Sequence, residues 1–331
     1  MTPFTSLTRR RLLSTGTAAF GIGAVGIAPA LAQATEVALQ LSWLHSVQFA
    51  GSYIAQERGF WRDEGLNVSL NPGGPNAPVE PPVVAGRALV GVSAADYASA
   101  AVEQGAPFRI IGVAMKKNPF AIASLPTNPV RKPADLVGKR IGMAIANTPV
   151  LQALCALNNV DIEGIEIVPT QYDAAPLVNG QVDCLLCWAT DLPVAMAMQR
   201  IESVTMLMAD HGYAVHSQTY IATIESIANR RADVVGLLRG EVKGWAAYEA
   251  DTDAATDLTV AMFPDAGLDP ATQREQARRQ LPLMFPAAAN TPFGWFTDES
   301  VAANIETLAL LGREVSADLW DRSLLEDVYA Q

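Results

Sequence analysis

The chain has 331 residues, enough for two domains with cores of their own. Half of the residues are apolar and 17% are charged, which excludes a disordered chain, and the formal net charge is −11. Residues 1–34 hold three Arg and no acid, so the remainder carries 20 basic against 34 acidic residues, a charge of −14 that speaks against nucleic acid and anionic membrane as partners.

Residues 1–34 read as an export signal. Thr8-Arg9-Arg10-Arg11-Leu12-Leu13 is followed by an apolar run over 18–28 and then by Pro29-Ala30-Leu31-Ala32-Gln33-Ala34, with cleavage expected after Ala32 or Ala34. Paired Arg before two Leu resembles the twin-arginine type, which exports proteins already folded. The alternative is a single membrane anchor, but Gly16, Gly21, Gly23 and Gly26 interrupt a run that is short for a span. No Cys follows the cleavage site to carry a lipid. The mature protein is therefore expected free in the periplasm.

Residues 37–43 alternate apolar and polar side chains, which predicts a strand. The chain then opens into His45-Ser46-Val47-Gln48, after which Phe49, Tyr53, Ile54 and Phe60 recur at helical spacing. A strand handing Trp43, His45 and Gln48 to a helix start is a binding-site layout, because ligands of open α/β sheets collect at the carboxyl ends of strands. A second strand over 65–70 leads to Asn71-Pro72-Gly73-Gly74-Pro75-Asn76. That loop either offers bare backbone to a ligand or is a plain turn. A helix over 79–87 and a strand over 88–92 deliver Ser93, Asp96 and Tyr97; Ser93 or Asp96 either caps the next helix or touches ligand. A strand over 108–115 ends at Lys116-Lys117-Asn118, and another follows over 121–125.

Residues 140–145 are expected as a strand that delivers Asn147 and Thr148 to the ligand, with Thr148 also as N-cap and Pro149 at the first position of a helix to 158. A strand over 165–169 brings in Tyr172 and Asp173. The buried strand 182–187 ends in Trp188 and Asp191 at a helix start. After an apolar stretch over 218–223 the pattern turns helical from about 225 to 311, with Val234, Val235, Leu237, Leu238, Val242, Trp245 and Tyr248 at helix spacing.

The stretch QFAGSYIAQERGFWRDEGLNV followed by PGGPN resembles the opening of the substrate-binding proteins of ABC importers. The branch it resembles holds the nitrate, sulfonate, taurine and thiamine-pyrimidine binders, and within it the sub-branch for thiamine-precursor pyrimidines or riboflavin. Val130 to Gly142, Leu177-Val178-Asn179-Gly180-Gln181-Val182-Asp183 and Thr291 to Glu299 fit the same pattern. The resemblance implies an α/β, two-lobed periplasmic binding protein fold of type II, each lobe a mixed β-sheet flanked by helices, with the ligand cleft between lobes. It places lobe 1 at 35–124 plus 220–331 and lobe 2 at 125–219, with 121–125 as the strand leaving the first lobe. Crossings near 124 and 220 would act as a hinge. Permease subunits of an ABC transporter are the implied partners.

The residues give little support to an enzyme. There is no Gly-x-Ser-x-Gly, no Walker loop, no His-Glu-x-x-His and no pair of CxxC motifs. With His45, His211 and His216 alone, neither a metal nor a cofactor is expected. Cys184 and Cys187 would face opposite sides of one strand and, with Cys155, are expected as buried free thiols. The resemblance extends to one enzyme, the fungal thiamine-pyrimidine synthase. Its Cys-rich run is missing from Asp210-His211-Gly212-Tyr213-Ala214-Val215-His216, and the loop after Trp43 offers no Lys to form a Schiff base. A synthase-like enzyme remains an alternative.

The strand-end residues are rich in aromatics and neutral hydrogen-bonding groups. Trp43 and Trp188 are expected to stack on a flat ring, while Phe49 and Tyr53 serve either the core or the ligand. The candidate loops hold almost no cations besides Lys116 and Lys117, whereas sulfonate, taurine or nitrate would need fixed cations or dense N–H donors. The expected ligand is thus a neutral planar heterocycle, a thiamine-precursor pyrimidine or a riboflavin-like ring, with the anions as the alternative.

Overall fold

The computed structural model describes residues 34–330, apart from 75–76, 172 and 288–289. The signal expected before residue 34, and the site residues Asn76 and Tyr172, lie outside the described residues.

Two five-stranded sheets carry the fold. The first has β1 (Thr35–Gln40), β2 (Leu66–Asn71), β3 (Val90–Ala94), β4 (Phe108–Met115) and β10 (Ser217–Thr223), in the order β2-β1-β3-β10-β4. The second has β5 (Phe120–Ser124), β6 (Arg140–Met143), β7 (Glu166–Pro169), β8 (Cys184–Trp188) and β9 (Val204–Leu207), in the order β7-β6-β8-β5-β9. The two orders are equivalent. Each sheet is parallel except for the strand second from one edge, β10 in the first and β5 in the second. β3 and β4 are buried along nearly their whole length, as strands covered on both faces must be, while the edge strand β2 alternates buried and exposed residues.

Sheet membership moves both crossings from where the sequence placed them. The strand expected to leave the first lobe is β5, which pairs with β8 and β9 in the second sheet, so the outward crossing is 116–119. The return crossing is 208–216, because β10 lies wholly in the first sheet. A strand is allocated by its hydrogen-bond partners, and the partners of β5 are 60 or more residues away in the chain.

Helices cover both sheets. The helix Ala50–Glu57 lies on the 20-residue helix Arg231–Ala250, and glycine makes that approach possible. A Cβ on Gly51 would sit 2.2 Å from the Trp245 ring and one on Gly244 would sit 2.0 Å from the Gly51 carbonyl oxygen, while Gly240 admits the next helix, Phe60–Asp63, since a Cβ there would sit 2.1 Å from the Trp61 ring. The expected helical region after 224 is present but broken into Ile224–Asn229, Arg231–Ala250, Thr252–Met262, Pro270–Met284 and Asp298–Leu310. These helices do more than brace the first lobe. Pro270–Met284 packs on Leu192–Met198, and Asp298–Leu310 on Thr148–Leu157, both of which connect strands of the second sheet.

Thr148 is not the N-cap expected of it. The helix Thr148–Leu157 begins at Thr148 itself, whose hydroxyl donates back to the Ile145 carbonyl at 2.7 Å, and Asn147 occupies the cap position.

Candidate functional site

The site follows from how the sheets are joined. The outward crossing leaves the carboxyl end of β4 and enters β5 at Phe120, which is paired with Trp188 at the carboxyl end of β8. Its four residues reach about 14 Å at most, so the carboxyl-end edges of the two sheets flank one gap. The crossings are tied together there. The buried Asn118 side chain donates to the Val215 carbonyl of the return crossing at 2.7 Å and accepts from the Phe120 N–H at 2.9 Å. Asn118, expected at the ligand, has its amide engaged as this clamp. The helix Asp298–Leu310 holds the return crossing from the other side: Asn304 accepts from the His216 N–H at 3.1 Å and donates to the Ala214 carbonyl, and Thr307 accepts from the Ala214 N–H.

The loop after β1 divides the expected residues. Trp43 and Leu44, just past the carboxyl end of β1, are 45% and 56% exposed. Phe49 and Tyr53 are 1% and 0% exposed and belong to the core, because the helical face that carries them is the one laid on the protein. His45 is half-buried between the two groups. Its Nδ1 lies 3.1 Å from the Tyr53 hydroxyl, its ring stacks on Phe263 at 3.9 Å, and burial lowers its pKa. Gln48 sits in a 3₁₀ turn that Ser46 caps. The Gly-Gly loop behaves as a plain turn at Gly73, whose N–H donates to the Trp43 carbonyl at 2.9 Å. A Cβ there would lie 2.5 Å from the Leu41 oxygen.

At the end of β3, Tyr97 is 66% exposed. Ser93 is buried and donates to Glu80 at 2.5 Å, so it does not cap the helix Ala95–Glu103. Asp96 is half-buried. Burial raises its carboxyl and Glu80 adds to the rise, while the Tyr97 and Asp96 N–H groups and Arg313 oppose it.

In the second lobe Trp188 is half-buried and stands edge-on to Phe120, which in turn stands edge-on to Tyr213, at 6.2 and 6.1 Å. Asp191 opens the helix Leu192–Met198 with its surface open to solvent. Protein crowds it closely enough to push its carboxyl up to about 6, against a contact from Thr190 that lowers it. Asp173 is exposed and accepts from the Ala175 N–H at 3.1 Å, a local turn ahead of the helix Ala175–Val178. Both lysines at the gap are engaged. Lys116 donates to the Thr291 carbonyl and hydroxyl at 2.7 Å and to the Pro292 carbonyl at 3.0 Å, and burial lowers its pKa to about 8. Lys117 pairs with Asp210 at 2.6 Å.

Phe120 at the start of β5, Tyr213 in the return crossing and Gln218 at the start of β10 sit where the chain passes between the sheets and were not among the expected residues. Phe120 and Gln218 lie in apolar strand runs, where sequence pattern reads only core; Tyr213 could have been noticed beside His211 in the return crossing. The three thiols are buried and free, with Cys184 and Cys187 in different core clusters.

A family model described as NMT1/THI5 like matches residues 46–255. The chain belongs to the NMT1/THI5-like family. Among its relatives is a protein named riboflavin-binding protein RibY, from Chloroflexus aurantiacus, 27% identical over 75% of this chain and 72% of its own. Another, from Halalkalibacterium halodurans, is named formylaminopyrimidine-binding protein and is 19% identical over 80% and 82% of the two chains. A third, from Legionella pneumophila, is named 4-amino-5-hydroxymethyl-2-methylpyrimidine phosphate synthase and is 27% identical over 46% of each chain. The periplasmic aliphatic sulphonate binding protein SsuA from Escherichia coli has a similar structure, with a TM-score of 0.65 at 15% identity over 85% and 87% of the two chains. At that identity the likeness is one of fold, and the fold of this NMT1/THI5-like chain is that of the two-lobed periplasmic binding proteins.

Proposed function

We propose that this protein is an extracytoplasmic solute receptor of an ABC importer that binds a small, neutral, planar heterocycle in the gap between its lobes. One observation supports the reading: the strand ends of both sheets carry accessible aromatic surface, while both lysines of the outward crossing are already bonded to the chain's own oxygens. Trp43 and Tyr97 stand exposed on one side and Trp188 on the other, and stacking on such rings contributes about 0.5–1.5 kcal/mol each beyond area. Asp96 and Asp191 add acidic character, which disfavours sulfonate, taurine and nitrate. The names of the riboflavin and formylaminopyrimidine binders support the same ligand class.

The receptor is exported through the signal in residues 1–34 by the twin-arginine route and docks on permease subunits. Titration calorimetry with a thiamine-precursor pyrimidine, riboflavin, an alkanesulfonate and nitrate tests the ligand class. Tight binding confined to the anions would overturn it. Recovery of the bound ring unchanged after long incubation separates a receptor from a synthase, which would return product.

A further inference from the structure

Six buried side-chain polar atoms meet no hydrogen-bond partner among the described residues, and three of them belong to one short stretch, the end of the return crossing and the start of β10. These are Tyr213 OH in the return crossing and Gln218 Nε2 and Thr219 Oγ1 on the second and third residues of β10. A buried polar group without a partner is destabilising, and three of them within seven residues of chain mark groups held ready for something the folded chain lacks.

Gln218 stands out within the cluster. It is 2% exposed, yet its amide nitrogen, which can only donate, has no acceptor. Its φ is +47°, a left-handed conformation that side chains other than glycine adopt reluctantly. It also sits at the irregularity where the pairing of β10 with β3 shifts, between Ser217 and Thr219. Bulges of this kind re-aim a side chain and recur next to binding sites. Ser217 pairs with Ala94 and Met115, the last residues of β3 and β4, so the bulge is at the gap and not in the depth of the sheet. Tyr213, fully buried in the return crossing five residues before Gln218 and edge-on to Phe120, brings a second unpartnered polar atom to the approach to β10.

We infer that Gln218 is the specificity-determining residue of the gap, its amide N–H donating to a carbonyl oxygen or an unprotonated ring nitrogen on the edge of the bound heterocycle. The inference rests on the receptor reading above. It narrows the ligand to rings with an acceptor edge, such as a pyrimidinedione or an aminopyrimidine, and makes the strained backbone at Gln218 the structural cost of recognition.

Two variants test it, with riboflavin and 4-amino-5-hydroxymethyl-2-methylpyrimidine as probes. Gln218→Gly removes the donor and suits the left-handed backbone; Gln218→Glu keeps the length and replaces the donor with an acceptor. Both should weaken binding of whichever probe the native protein takes by at least tenfold, and Gln218→Gly should melt no lower than the native protein. A Gln218→Gly protein that melts lower and binds normally would assign Gln218 a packing role and overturn the inference while leaving the receptor reading standing. Failure of the native protein to bind either probe would end both.

Discussion

Replacing His216 by glutamine should flatten the acid response of this fold. The imidazole is buried, its Nδ1 accepts the Trp320 indole N–H at 3.2 Å, and its neutral form therefore carries the proton on Nε2. Burial lowers its pKa from 6.5 to about 3. The unfolded chain takes up a proton near pH 6.5 while the folded chain stays neutral until about pH 3, so in that window the unfolded state binds more protons and stability falls as pH falls. From about pH 7.5 to 4.5 this group alone removes about 2.7 kcal/mol, at about 1.4 kcal/mol per pH unit once the unfolded state is protonated. Asp191, raised to about 6, acts in the opposite sense below that pH, but equally in both proteins. In His216→Gln the amide oxygen still accepts from Trp320 and nothing titrates. Urea unfolding at both pH values should show the native protein losing about 2.7 kcal/mol more than the variant. Equal losses would refute the reasoning.

Gly240→Ala drives a methyl into the Trp61 ring and should lower stability by about 1–3 kcal/mol in urea unfolding; an unchanged midpoint would contradict the close helix approach. Asn118→Ala releases the clamp between the crossings and should lower stability by about 2 kcal/mol, measured the same way. Trp43→Ala, at an exposed position, should leave stability within about 0.5 kcal/mol while weakening binding of a ring ligand about tenfold by calorimetry. Burial raises the thiols, Cys155 to about 11 and Cys184 to about 12, so Ellman's reagent should label none of the three in the native protein and all of them in guanidinium. Rapid native labelling would mean that β8 or the helix carrying Cys155 opens readily.

Local pattern carried much of this fold. Runs such as FRIIGVAM have a composition that suits a strand covered on both faces, and the residues following β1, β3 and β8 were placed at the gap because strand ends are visible in sequence. What was hidden depends on distant partners. Asn118 looked like a ligand residue because its acceptor, Val215, is 97 residues away. Tyr53 looked available because its position says nothing of which helical face meets the core. The assignment of β5 turned on pairings with β8 and β9 that no local pattern reveals. Gln218 lay in a stretch that reads as an ordinary inner strand, and neither its positive φ nor its missing acceptor leaves a mark in the residue string.

The borrowed position of β10 sets an order for synthesis. β5 to β9 run without interruption from Phe120 to Leu207, so the second sheet has all its strands while the ribosome is still adding the rest. β4 has no neighbour in its sheet other than β10, and it waits for residues made about a hundred positions later. The lobe begun first on the ribosome is thus the last to close, and a nascent chain halted before Ser217 would expose a long apolar strand with nothing to pair it.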